Sequence, residues 1–194
     1  GPQSHFSSGT ATARRYATGF SPILAFVDPQ RPDFAALAPY CSSGEHFYCS
    51  DWSGAMPPGW ALDAEASMFR MVWGGALPDE DATLACEPLE REHADQAVAL
   101  AGLTRPGPFG PRTIELGEYF GVFDDGRLVA MAGERAQAPG LREVSGVCTH
   151  PDQQGRGWAR RLMLKLIRRQ MLRGETPFLH VMSNNATAHG LYLK

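Results

Sequence analysis

The chain has 194 residues, enough for one large domain or for one domain with a small additional lobe. Its 43% hydrophobic and 20% charged residues are ordinary for a soluble globular protein, and a net charge of -3 gives no global electrostatic case for nucleic acid or an anionic membrane. No apolar run approaches the length of a membrane span, and the start GPQSHFSSGTATARR lacks the apolar core of a secretory leader, so a cytoplasmic setting with reduced thiols is expected.

In chain order, Gly1-Pro2 has the look of a protease scar, and residues 1–18 are expected to stand outside the fold as a tag or disordered N-terminus. Residues 19–80 read as a small N-terminal α/β lobe. SPILAFVD (21–28) reads as a strand, and FAALAPY (34–40) as a short helix with Asp33 as its N-cap. EHFYCSDW and SMFRMVWGG are aromatic-rich and strand-like, separated by the Pro- and Gly-broken GAMPPGWALD. The four cysteines, Cys41, Cys49, Cys86 and Cys148, fit no disulfide framework or compact metal motif. Cys41, His46 and Cys49 lack an evident fourth ligand, and no metal is expected.

GALPDEDA (75–82) is the expected linker, and a second domain is expected to fill residues 81–194. TLACEPL (83–89) reads as a strand, REHADQAVALAGL (91–103) as a helix, and TRPGPFGPRT (104–113) as a rigid loop. Residues 117–135 form a strong hairpin signal, two β-rich runs flanking Asp124-Asp125-Gly126. LREVSGVCTHP (141–151) is another strand, halted by Pro151. Strict alternation along it puts Glu143, Ser145, Val147 and Thr149 on one face, with Val144, Gly146 and Cys148 on the other. From Trp158 to Met171, apolar residues at Trp158, Leu162, Met163, Leu166, Ile167 and Met171 predict an amphipathic helix with arginines on its remaining surface, closed by Gly174. PFLHVMS (177–183) is a strand, and Asn184-Asn185 can cap a last short helix.

The order strand, Gly-rich turn, helix over 141–173 is half of a βαβ unit. A helix N-terminus offers unpaired N–H groups and partial positive charge, so an anion fits there, and Gly155 and Gly157 permit close backbone approach. The spacing matches neither G-x-G-x-x-G nor a P-loop. Gln154-Gly155-Arg156-Gly157-Trp158-Ala159 does match Q/R-x-x-G-x-G/A, the pyrophosphate-binding motif of the GCN5-related N-acetyltransferase (GNAT) superfamily. The preceding V-C-T-H-P resembles that superfamily's central strand. The pattern N-x-x-A-x-x-L-Y recurs as Asn185, Ala188, Leu191 and Tyr192, and the 117–135 hairpin resembles its second and third strands. T-R-P-G-P-F-G-P-R-T with E-V-S-G-V-C-T-H-P is most similar to the FR47-like branch. The resemblance covers residues 82–194.

This resemblance implies an α/β (α+β) fold, a mixed central sheet flanked by helices, here carrying the small N-terminal lobe. It implies acetyl-CoA as cosubstrate, lying where two neighbouring parallel strands splay apart. The backbone of Val147, Cys148 and Thr149 would meet the pantetheine and acetyl carbonyl. The N–H groups from Gln154 through Gly155, Arg156, Gly157, Trp158 and Ala159 to Arg160 would hold the pyrophosphate. Asn185 would bond the pantetheine arm and Tyr192 would protonate the departing thiolate, a phenol near pKa ~10 being a reasonable proton source. Glu143 matches the general base of some members, with Glu134 as its competitor. Neither His150 nor Cys148 is expected to act as a nucleophile, because transfer in the superfamily is direct, within a ternary complex.

Superfamily members continue past L-Y into two further strands, so the expectation is either that the sequence is truncated here, or that another chain supplies those strands, as in a homodimer; without them the sheet edge would be open. The expected activity is acetyl transfer to an unidentified amine, with neither nucleic acid nor membrane as partner. A non-catalytic acyl-CoA-binding or regulatory module stays open as the alternative, as does a scaffold whose N-terminal lobe binds a partner. That lobe is expected to pack on the core and shape the acceptor side.

Overall fold

Two sheets organise the chain, whose computed structural model describes residues 2–52 and 54–192, the side chains of Thr187, Leu191 and Tyr192 lying outside the described residues. The first is small, with β1 (Ser7–Gly9), β2 (Ala13–Tyr16), β3 (Ile23–Phe26) and β4 (Tyr48–Cys49) in that order, antiparallel except for β3 and β4. Helix α1 (Phe34–Leu37) sits on it. Asp33 caps this helix as the sequence predicts, its carboxylate accepting the Ala36 N–H at 3.0 Å. Ala13, Leu24 and Leu37 form the core of this unit.

The expectation that residues 1–18 stand outside the fold is therefore corrected. Ala13 and Arg15 are buried, and the Arg15 guanidinium grips Glu45 at 2.6 and 2.8 Å. The Gln3 amide donates to the carbonyls of Leu116 at 3.0 Å and Arg135 at 2.6 Å, tying the N-terminus to the far sheet. A stretch poor in large apolar residues carries no burial signal in sequence. Here an alanine and a paired arginine supply the inward positions.

The second sheet has six strands: β5 (Met68–Val72), β6 (Glu87–Pro88), β7 (Tyr119–Asp124), β8 (Arg127–Ala138), β9 (Leu141–Thr149) and β10 (Thr176–Met182). Their order is β5-β10-β9-β8-β7-β6. Only β9 and β10 run parallel. The β7–β8 turn has positive φ at both Asp125 and Gly126, the geometry that Asp-Gly favours in a two-residue hairpin. Helix α3 (Trp158–Leu172) covers one face through Leu162, Met163, Leu166 and Ile167 against Val129, Ala132, Val144 and Leu179. Helix α2 (Ala94–Thr104) covers the other through Ala97, Leu100 and Ala101 against Tyr119, Met131 and Cys148. The last helix is α4 (Ala186–Tyr192).

Two boundaries differ from the sequence reading. Strand β5 lies within the stretch assigned to the N-terminal lobe, yet it joins the large sheet, pairing antiparallel with β10 from Met68↔Met182 to Val72↔Phe178. The outer edge of β10 is thus covered by the chain itself, where an open edge or a second chain was expected. The pairing spans more than a hundred residues of sequence, so no local pattern reveals it. The expected strand at 83–89 shrinks to Glu87–Pro88, and residues 91–93 are a 3₁₀ turn leading into α2. The small unit docks on the 104–113 loop: the Arg112 N–H donates to the Gly19 carbonyl at 2.7 Å, and a Cβ on Gly110 would lie 2.5 Å from that oxygen.

Candidate active site

The turn before α3 is built to leave donors free. Gly155 and Gly157 take φ of 78° and 79°, a left-handed conformation in which a side chain would be strained. Gly157 is the N-cap of α3 and has no side chain to turn back on the helix. After Gln154, the next N–H to find a backbone partner is that of Arg161 in α3, which donates to the Gly157 carbonyl at 3.1 Å. Among the described residues the N–H groups from Gly155 to Arg160 donate to no protein acceptor. They converge at the positive end of a 15-residue helix, which suits a phosphate or pyrophosphate. Arg156 and Arg160 are exposed and enter no ion pair among the described residues. Arg161 is already engaged, with Asp81 at 2.6 Å, and its hydrogen bond holds that carboxyl far below its ordinary range.

Beside this turn the two parallel strands part. β9 and β10 pair only over Leu141↔Thr176, Arg142↔Pro177 and Glu143↔Phe178. Beyond that point the β9 backbone from Val144 to Thr149, which includes Val147, Cys148 and Thr149, has no strand partner on its β10 side among the described residues. The opening leads toward the glycine turn, since β9 runs on through Pro151–Gln153 into it.

The expected face assignment along β9 is corrected. Opposite β8 the register slips from Met131↔Cys148 to Gly133↔Ser145, and Gly146 in the extra position has φ of 63°. This bulge inverts the alternation. Val147 packs with Val144 in the α3 cluster, while Cys148 lies in the α2 cluster. Glu143 does not share a face with Val147. It points to the α2 side, where Arg135 meets it.

Glu143 is also not a free base. It is 2% exposed. Its Oε1 receives Arg135 Nη2 at 2.7 Å and faces His180 Nδ1 at 2.8 Å, and its Oε2 receives Arg135 Nε at 3.0 Å and the Ala136 N–H at 3.2 Å. Burial pushes its pKa up, but the His180 hydrogen bond and the Arg135 charge outweigh this and bring it down to about 2. A carboxylate with both oxygens occupied and so low a pKa takes up no proton near neutrality. The competitor Glu134 is buried on the opposite, α3 face, held by Gln170 at 3.1 Å and by Arg173, at the end of α3 remote from the turn.

A turn of free donors beside splayed parallel strands is the arrangement that the sequence resemblance implies. The family model for FR47-like protein matches residues 119–194. A solved structure from Novosphingobium aromaticivorans that is assigned to the GNAT family is 35% identical over 100% of this chain and 86% of its own, with a TM-score of 0.89. The chain belongs to the GNAT family. A GNAT-family acetyltransferase from Colwellia psychrerythraea is 16% identical over 66% of this chain and 51% of its own, with a TM-score of 0.55, and shares the fold. No curated protein matches.

Several residues singled out by the GNAT motifs take defined places. Asn185 caps α4, its Oδ1 accepting the Ala188 N–H at 3.0 Å. The Tyr192 side chain lies outside the described residues. His150 accepts the Asp152 N–H through Nδ1 at 3.3 Å and so shapes the start of the turn. Burial pushes the Cys148 thiol up to about 11, which leaves it a protonated, poor nucleophile. Gln154 precedes the free donors, its own N–H reaching the Pro151 carbonyl at 3.4 Å.

The sequence reading missed His180, Arg135, Arg70 and Tyr119. Tyr119 is buried with a hydroxyl that has no partner among the described residues, and that hydroxyl lies 3.5 Å from where a Cβ on Gly146 would sit. A β-strand reading of PFLHVMS contains the one available hint, a histidine between Leu179 and Val181, which both point into the α3 core. No helix among the described residues is long and apolar enough to cross a membrane, and no His, Cys, Asp or Glu group among them is arranged to hold a metal.

Proposed function

We propose that the chain transfers the acetyl group of acetyl-CoA to an amine by direct attack within a ternary complex. The observation that carries this reading is the continuity of two features: β9 backbone from Val144 to Thr149 that has no strand partner on its β10 side, then unpaired N–H groups from Gly155 to Arg160 among the described residues. A long, thin cosubstrate with a polar amide arm and a pyrophosphate requires such donors and acceptors in that sequence. Val147, Cys148 and Thr149 would orient the pantetheine and acetyl carbonyl through their backbone. The turn would neutralise the pyrophosphate, with Arg156 and Arg160 free to reach further phosphate. Asn185 can turn from its capping role toward the pantetheine arm, and Tyr192 would supply the proton to the leaving thiolate.

The locked state of Glu143 favours a second reading, a module that binds acyl-CoA without turnover. Incubation with radiolabelled acetyl-CoA and a panel of primary amines separates the two. The panel holds a peptide with a free α-amine, a lysine peptide blocked at its N-terminus, spermidine and an arylalkylamine. The expected result is label in at least one amine, at a rate proportional to enzyme. Binding of CoA with no labelled product from any amine supports the module instead.

A further inference from the structure

We propose that His180 is the group that accepts the proton of the incoming amine, with Glu143 as its positioning residue. This rests on the acetyltransferase reading above and goes beyond it, because neither the sequence motifs nor the family match assigns a role to this histidine.

His180 stands two residues beyond Phe178, the last β10 residue paired with β9, and so at the mouth of the splay. Leu179 and Val181 on either side face the α3 core, so His180 faces the other side, together with Glu143 and the Gly146 bulge. Its Nδ1 lies 2.8 Å from Glu143 Oε1, and Arg70 Nε donates to its Nε2 at 3.1 Å. Arginine has donors only, so Nε2 must hold the lone pair and Nδ1 the hydrogen that Glu143 accepts. The buried Glu143–Arg135 pair thus fixes the tautomer and aim of the ring, and Nε2 is the nitrogen presented outward. Arg70 covers Nε2 from the exposed edge strand β5, with Nη2 anchored on Asp51 at 3.1 Å, and an entering amine can displace it.

The charged and titratable groups around the ring come from every neighbouring element. Arg70 comes from β5 with Asp51 behind it, Glu143 from β9 and Arg135 from β8. Tyr16 and Tyr119 lie near the Glu143–Arg135 pair, and His189 of α4 stacks beside Phe69, the residue before Arg70.

The step balances without a further reactant. The acceptor ammonium gives one proton to Nε2, leaving a neutral amine and an imidazolium. The amine lone pair forms a C–N bond at the acetyl carbon as the C–S bond breaks, and the sulfur leaves with that electron pair. One proton leaves the new amide nitrogen and one is taken up by sulfur, so the net release is the single proton that His180 returns to solvent.

The test compares His180→Gln with the wild type, using the best amine of the panel above and following kcat/KM from pH 5.5 to 10. The variant is expected to bind CoA as the wild type does and to lose about 100-fold or more of kcat/KM at pH 7. The loss should shrink toward pH 10, where the amine is already deprotonated. Equal pH profiles within threefold, with CoA affinity intact, would overturn the role of His180 and leave the acetyltransferase reading standing. A wild type that neither binds CoA nor transfers acetyl overturns both. Should His180→Gln bind no CoA, His180→Asn, whose amide nitrogen can take the place of Nδ1, carries the same comparison, and equal pH profiles with CoA affinity intact would again overturn the proposal.

Discussion

Glu143→Gln is expected to lose about 3 kcal/mol of stability at pH 7, with a fall in melting temperature of roughly 10 °C. The substitution keeps the side-chain volume and removes the charge that balances the buried Arg135 guanidinium, leaving a cation away from water without its counterion. The same carboxylate gives the effect its pH dependence. In the folded chain its pKa is about 2, against an ordinary glutamate value of 4.5. A depressed pKa contributes stability that is complete above the unfolded value and is lost as pH falls through the folded one. The 2.5-unit gap corresponds to about 3 kcal/mol, in line with the cost of breaking the pair. The stability difference between wild type and variant should therefore be full at pH 6 to 7, shrink from about pH 4.5 downward, and nearly vanish near pH 2. Urea unfolding at pH 7, 4 and 3 checks this, and a difference independent of pH would show that the Glu143 charge is not what stabilises the fold.

Ala159→Pro should weaken CoA binding by about 10- to 100-fold while moving the melting temperature little. Ala159 is the second residue of α3, and its N–H has no protein acceptor among the described residues. Proline is tolerated in the first helical turn because the N–H it removes is unpaired there in any case. The only bond at risk is the one to an anion in the turn, and a hydrogen bond to a charged group contributes roughly 1.5–3 kcal/mol. Isothermal titration with CoA and a thermal melt together separate a lost donor from a disrupted helix. Unchanged affinity would mean that the pyrophosphate sits elsewhere.

How far the site could be read from sequence follows from the range of the interactions. The β7–β8 hairpin and helix α3 are carried by local patterns, an Asp-Gly turn and a 3.6-residue stripe, and both occupy the places the sequence predicts. The glycine turn is equally local, since Gly155, Gly157 and the following helix lie within a few residues. The side on which Glu143 points is not local. One extra residue at Gly146 reverses the alternation on either side of it, and strict period-two counting has no access to a register that depends on β8. The meeting of Glu143 with His180 depends on the parallel pairing of β9 with β10, and that of His180 with Arg70 on the return of β5 to the far edge of the sheet. Each contact joins segments separated by 37 to 110 residues. The N-terminal strands escaped for a different reason: Ala13 and Arg15 are buried through close backbone approach and an ion pair, which leave no apolar signature.

Acetyl transfer requires first that the turn and splay hold CoA. Isothermal titration of the wild-type chain with CoA, and with acetyl-CoA, tests this most directly. One-to-one saturable binding that is competed by 3′-dephospho-CoA and weakened by Ala159→Pro is the predicted result. A folded chain, verified by its thermal transition, that takes up no heat from either ligand at millimolar concentration would contradict it.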